Sequence, residues 1–83
     1  PREMTEKNGR VYVYPVEELR HLLVESDPAL RRTENGFVVE REGREPLVYE
    51  EKTEKIEKLE MIRDEYILEI FVNGGEEIYT VLL

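Results

Sequence analysis

The chain has no cysteine, no tryptophan and no glutamine, one histidine and one alanine. Without cysteine there is no disulfide, no thiolate nucleophile and no Cys-ligated zinc or iron–sulfur centre, and a reducing, cytoplasmic compartment is permitted. Apolar runs are only a few residues long, so no segment reads as a membrane-spanning helix. The stretch PREMTEKNGR lacks the apolar stretch of a signal peptide. No GxGxxG or P-loop is present, and Gly74-Gly75 does not open a helical pattern, so nothing points to a nucleotide cradle. No EF-hand spacing occurs. The expectation is a protein without metal or cofactor and without catalytic activity.

What is abundant is acid. Twenty Asp and Glu face twelve Lys and Arg, for a net charge of −8 in 83 residues. Residues 1–33 are neutral, so the whole excess lies in 34–83. A surface of this sign repels phosphate backbones, which argues against direct nucleic-acid binding. It attracts a basic protein surface, or simply keeps the chain soluble. Richness in Glu with no Gln is typical of thermophile proteins. It is also typical of computationally designed ones, which the phrases PVEELRHLL and NGGEEIYTVLL resemble.

Eighty-three residues suffice for one modest core. Residues 1–9 are polar, lack periodicity and read as frayed, leaving 10–83 as a single domain. RVYVY (10–14) alternates as a short strand. Pro15 suits a first helical position, Glu17 and Glu18 suit a first turn, and Val16, Leu19, Leu22 and Leu23 recur at helical spacing. This predicts a helix over 15–26, ended by Asp27-Pro28. Asp27 can cap a single turn from Pro28 to Arg32. Glu34-Asn35-Gly36 is a turn signal in which Asn35 or Gly36 is free to take positive φ. FVVER (37–41) and PLVYE (46–50) read as paired strands, with a turn at Glu42-Gly43 that sets Val39 opposite Pro46, or with a four-residue loop. In 50–65, the pairs Glu51–Lys55 and Glu54–Lys58 and the stripe Ile56, Leu59, Ile62 predict a short helix over 53–63. The competing reading is a strand whose alternation breaks at Met61-Ile62.

Glu65 to Leu83 reads as a closing hairpin around Gly74-Gly75, pairing Val72 with Glu77, Ile70 with Tyr79, Leu68 with Val81 and Phe71 with Ile78. The expected class is therefore α+β, a mostly antiparallel sheet of about five strands in the order β-α-β-β-α-β-β. Both faces of the closing hairpin are apolar. Helix 15–26 is expected to cover Tyr66, Leu68, Ile70, Val72, Tyr79, Val81 and Leu83. The second face, Ile67, Phe71, Ile78 and Leu82, falls either to helix 53–63 or to another molecule. The final strand carries no charge after Glu77, so it is either central in its sheet or a template for strand addition.

His21 lies between Glu17 and Glu25 one turn away on either side, a pattern open to acid–base or metal chemistry but more ordinary on a solvated helix. Asp64-Glu65 and Glu76-Glu77 are paired carboxylates at strand ends, and Arg31-Arg32 with Arg20 is the one basic cluster. Neither pattern by itself makes a cleft. Tyr12 and Tyr14 share one side of the first strand and can form an aromatic platform. The candidate partner-binding residues are thus Tyr12, Tyr14, Ile67, Phe71, Ile78 and Leu82. The expected function is a small non-enzymatic interaction domain that meets a protein partner, or its own copy, through an apolar sheet face or the terminal strand. The alternative is an acidic inhibitor, of the phage or mobile-element kind, that imitates nucleic-acid charge.

Overall fold

The computed structural model describes residues 2–50 and 55–83. Eight strands are formed among these residues: β1 (Arg2–Lys7), β2 (Arg10–Pro15), β3 (Leu30–Thr33), β4 (Gly36–Val39), β5 (Leu47–Glu50), β6 (Leu59–Asp64), β7 (Ile67–Val72) and β8 (Glu77–Leu82). They make three separate antiparallel sheets, ordered β1-β2, β3-β4-β5 and β6-β7-β8.

The α+β expectation, with its alpha+beta order of elements, is corrected by this architecture. The helix predicted over 15–26 is a six-residue 3-10 turn, Glu17–Leu22. Residues 16, 19 and 22 satisfy a three-residue repeat as well as they do a helical one. Beyond it, Val24 exchanges both backbone hydrogen bonds with Met61, at 2.9 Å each, and so extends the last sheet by one bridge. The helix predicted over 53–63 is not formed either. Thr53 and Glu54 lie outside the described residues, and Leu59–Asp64 is strand β6. Its alternation looked broken because both faces are covered. Leu59 and Met61 point into the core, while Glu60 on the other face is buried too.

Residues 2–7, expected to fray, form β1. Asn8 and Gly9 take φ of 52° and 78°, the two positive values a two-residue primed turn needs, and Lys7 stands opposite Arg10. Leu30–Thr33, expected as part of a capped turn, is β3, which turns through Glu34-Asn35 into β4. Neither Asn35 nor Gly36 has positive φ. Gly36 is required for space instead: a Cβ there would lie 1.9 Å from the Tyr49 carbonyl oxygen. β4 and β5 pair Val39 with Leu47, one residue away from the expected register. The closing hairpin has the expected register, Val72 with Glu77 through Ile67 with Leu82. Its turn draws on positive φ at Asn73, Gly74 and Gly75.

The core lies between the middle and last sheets. Phe37, Val39 and Tyr49 meet Leu59, Met61, Leu68, Ile70, Val72 and Val81. A sheet, and not a helix, therefore roofs the first apolar face of the closing hairpin. Each large side chain enclosed here contributes about 1.5–3 kcal/mol relative to exposure. Phe37 stacks on Tyr49 at 4.8 Å, and Tyr79 closes on Tyr49 at 4.9 Å. Because these rings touch one another, no gap between them remains to cage a cation.

Candidate interaction surface

The second face of the last sheet consists of three cross-strand rows: Glu60–Phe71–Ile78, Ile62–Glu69–Thr80 and Asp64–Ile67–Leu82. The N-terminal hairpin packs over the first two. Val13 donates its N–H to the Gly75 carbonyl at 2.9 Å. The Tyr14 ring meets Phe71 edge-on at 5.7 Å, and its hydroxyl donates to Glu60 Oε1 at 2.7 Å. Arg2 donates to the Thr80 hydroxyl at 2.9 Å and lies 3.4 Å from Glu69. Arg10 pairs with Glu76 at 2.8 Å. Phe71 is fully buried as a result.

The roof stops one row short. Ile67 remains 36% exposed and Leu82 47%. Beside Ile67 a groove of about 430 Å³ is lined by Pro15, Leu19, Leu22, Ile62, Arg63, Asp64, Ile67 and Glu69. Leu22 on its rim is 46% exposed. The 3-10 turn supplies Leu19 and Leu22 at a three-residue spacing, which places them on one side of that turn.

The edge of the sheet is open at the same end. Leu83 donates to the Tyr66 carbonyl at 2.8 Å. The pairing of an antiparallel ladder then turns residues 77, 79, 81 and 83 toward β7 and residues 78, 80 and 82 outward. Among the described residues no backbone hydrogen bond reaches Ile78, Thr80 or Leu82 on that outer side. The opposite edge, at β6, is taken by Val24.

The six sequence candidates therefore separate. Tyr14 and Phe71 are spent on each other inside the protein. Tyr12 lines a different hollow, with Arg10, Lys55, Glu57, Asn73 and Glu76. Ile78 is half-buried, and only Ile67 and Leu82 stand open at the uncovered end. Sequence reading missed Leu19, Leu22 and Ile62 as parts of the same surface. The helical spacing of the first two, and of the third with Ile56 and Leu59, points to helix stripes instead.

Charged groups near the groove are unevenly satisfied. Arg63 donates twice to Asp27, Nε to Oδ2 at 2.9 Å and Nη2 to Oδ1 at 3.0 Å. That bond holds the Asp27 carboxyl below the usual carboxylate range against the opposing effect of burial. Arg20 bonds Glu3 and the Pro15 carbonyl, and its guanidinium lies 5.1 Å from the Tyr14 ring centre. Arg2 serves Glu69 and Thr80. Among the described residues, Glu17, Glu18, Asp64 and Glu65 have no cationic partner.

The other chemical candidates do not converge. His21 is exposed on the 3-10 turn. Glu76 is held by Arg10, and Glu77 accepts from the hydroxyls of Tyr49 and Tyr79. Arg31 reaches Glu40 at 3.6 Å while Arg32 donates to the Gly36 carbonyl, so the basic cluster is dispersed. No three His, Asp or Glu side chains among the described residues are placed to hold a metal ion. No helix among them is long and apolar enough to cross a membrane. Comparison with known protein families, curated proteins and solved structures finds no match for this chain.

Proposed function

We propose that the chain is a protein-interaction domain without catalytic activity, and that it binds at the uncovered end of its last sheet. One observation carries this reading: the open backbone edge at Ile78, Thr80 and Leu82 runs beside side chains, Leu82 and Ile67, that the hairpin roof leaves exposed. An edge strand normally carries a charge, a proline or a bulge that prevents pairing, and residues 78–82 carry none of these. Backbone groups of an added strand would supply affinity there, and the neighbouring apolar side chains would supply selectivity. The absence of cysteine suits a reducing compartment.

The test is selection of a random-peptide library on the immobilised protein. Enrichment of sequences whose binding disappears in Leu82→Lys supports the reading. Failure to enrich any sequence, or enrichment indifferent to that substitution, removes it.

A further inference from the structure

We infer that Asn8 is a site of self-modification, where the Gly9 backbone nitrogen attacks the side-chain amide and water converts the product to a carboxylate. Asn35-Gly36 and Asn73-Gly74 share the dipeptide, but in the folded chain they are held out of the reaction. This goes beyond the interaction reading and does not rest on it. The only co-reactant is water. The Gly9 nitrogen loses its proton and bonds to Asn8 Cγ, the Cγ–Nδ2 bond breaks, and Nδ2 leaves as ammonia. The product is a five-membered succinimide ring. Water opens that ring at Cγ to give aspartate, or at the main-chain carbonyl to give isoaspartate, in which the main chain runs through the side chain. Glycine after the asparagine leaves the attacking nitrogen unhindered, and this holds equally for all three pairs.

The structure separates the three. Reaction needs a side-chain amide that can turn and a backbone nitrogen that can reach it. At Asn73 the amide is pinned. Its Oδ1 accepts from the Glu57 and Lys58 N–H groups at 2.7 and 3.0 Å, and its Nδ2 donates to the Lys55 carbonyl at 2.9 Å. Turning onto the Gly74 nitrogen breaks all three bonds. At Asn35 the nitrogen is pinned. Gly36 is buried in the middle strand of its sheet, opposite Thr33 on one side and Glu50 on the other. At Asn8 neither constraint applies. Asn8 is exposed, and among the described residues neither its side chain nor the Gly9 N–H forms a hydrogen bond. The space beside Gly9 is open, with nothing within 4 Å of where a Cβ would stand.

Ring closure also requires the turn to open, so that the nitrogen can swing onto Cγ. Every residue of β1 is exposed, so opening this end of the hairpin uncovers little apolar surface. Lys7 and Arg10 face each other across the last pair before the turn, and like charges so placed weaken it. The Arg10–Glu76 pair at 2.8 Å restrains the turn only weakly, because half of the Arg10 side chain is in water. The turn at Asn73 is different, since Phe71 and Val72 beside it are buried and opening would expose them. The two products then diverge. Asp-Gly suits the same primed turn as Asn-Gly, and the new carboxylate lies between Lys7 and Arg10. Isoaspartate lengthens the main chain between those two residues, and a two-residue turn cannot then keep their pairing. The hairpin roofs Phe71 through Tyr14, so the isoaspartyl form loosens that roof and the aspartyl form keeps it.

The experiment holds the whole chain at pH 8.5 and 37 °C, once folded and once in concentrated urea. Samples are digested, each Asn-Gly peptide is followed by mass spectrometry, and the aspartyl and isoaspartyl forms are separated by chromatography. In the folded chain Asn8 is expected to lose its amide at least about tenfold faster than Asn35 or Asn73. In urea the three rates should converge, with Asn35 and Asn73 speeding up most. The rate at Asn8 should rise with pH, because the attacking nitrogen must lose its proton. Asn8→Asp supplies one product without the other and should melt as the parent chain does. The fraction enriched in isoaspartate at position 8 should melt lower.

Asn35 or Asn73 reacting as fast as Asn8 in the folded chain would overturn the proposal. So would reaction of all three in urea with none in the folded chain, which would mean that the turn at Asn8 does not open. The same order and spread of rates in urea as in the folded chain would assign the preference to neighbouring residues and not to the fold. An isoaspartyl fraction that melts with the parent would overturn the loosened roof. None of these outcomes involves the edge of β8, so the interaction reading is tested separately by the library selection.

Discussion

Val13 and Gly75 hold the N-terminal hairpin to the last sheet backbone against backbone. The Val13 N–H bonds the Gly75 carbonyl at 2.9 Å, and a Cβ on residue 75 would lie 2.1 Å from the Val13 carbonyl oxygen. Side chains could yield to such a contact, but two main chains cannot. At this point the roof over Phe71 meets the sheet.

Gly75→Ala is therefore expected to destabilise by about 3 kcal/mol or more, combining the collision with strain at φ of 101°. Gly74 also has positive φ, but open space surrounds it. Gly74→Ala should cost only about 1–2 kcal/mol, the price of the left-handed conformation alone. Urea unfolding of the two variants separates space from conformation, and equal losses would refute the close approach.

Rows of the second sheet face should respond in order of cover. Phe71→Ala, which empties a fully enclosed site, is expected to cost about 3–5 kcal/mol. Leu82→Ala, at a half-exposed site, should cost less than about 1 kcal/mol. Chemical denaturation would show the contrast, and a large loss at Leu82 would mean that the chain itself covers that row.

The Asp27–Arg63 pair gives a signed pH effect. Because its carboxyl is held below the ordinary value of about 3.9, folding gains from this group above that pH and loses the gain as pH falls through the folded value. Asp27→Asn should lower the melting temperature at pH 7 and flatten its decline below about pH 4. Thermal melts from pH 2.5 to 7 measure both. A variant with an unchanged acid limb would show that the pair contributes nothing.

At the alkaline end the sign reverses. Burial, followed by the bond to Glu60, pushes the Tyr14 phenol up to about 12, and Tyr79 is raised by burial and by Glu77. Unfolded tyrosine ionises near 10, so stability from Tyr14 is complete below about pH 10 and lost as pH rises toward 12. Ultraviolet titration should show late ionisation of both phenols. Tyr14→Phe should cost about 1 kcal/mol at neutral pH and remove its share of the alkaline loss. Ionisation of Tyr14 near 10 would rule out its burial against Glu60.

The closing hairpin was legible because its evidence is local. A flexible turn and two runs of pleat-forming residues set one register, and a slip of a single residue would exchange the faces. Helix 15–26 was misread because Val16, Leu19 and Leu22 fit a repeat of three as well as one of 3.6. β6 was misread because a strand buried on both sides loses the alternation by which strands are recognised. Asn8-Gly9 was legible in principle, being one of three Asn-Gly pairs in the chain, but a polar β1 with every residue exposed offers no apolar pattern to support it. The Asp27–Arg63 pair spans 36 residues and leaves no trace in the sequence.

Composition and local pattern alone settle the charge, the lack of thiol chemistry, the pairing of the last two strands and the surplus of apolar surface on them. Each depends on residues that are near one another in the chain or on a simple count. Which element covers which face, and that the N-terminal hairpin ends before Ile67 and Leu82, is decided in three dimensions. Any apolar face can satisfy another, so hydrophobic burial has no direction and does not choose among roofs. The choice falls to long-range fits such as Val13 against Gly75, where backbone shape admits one partner.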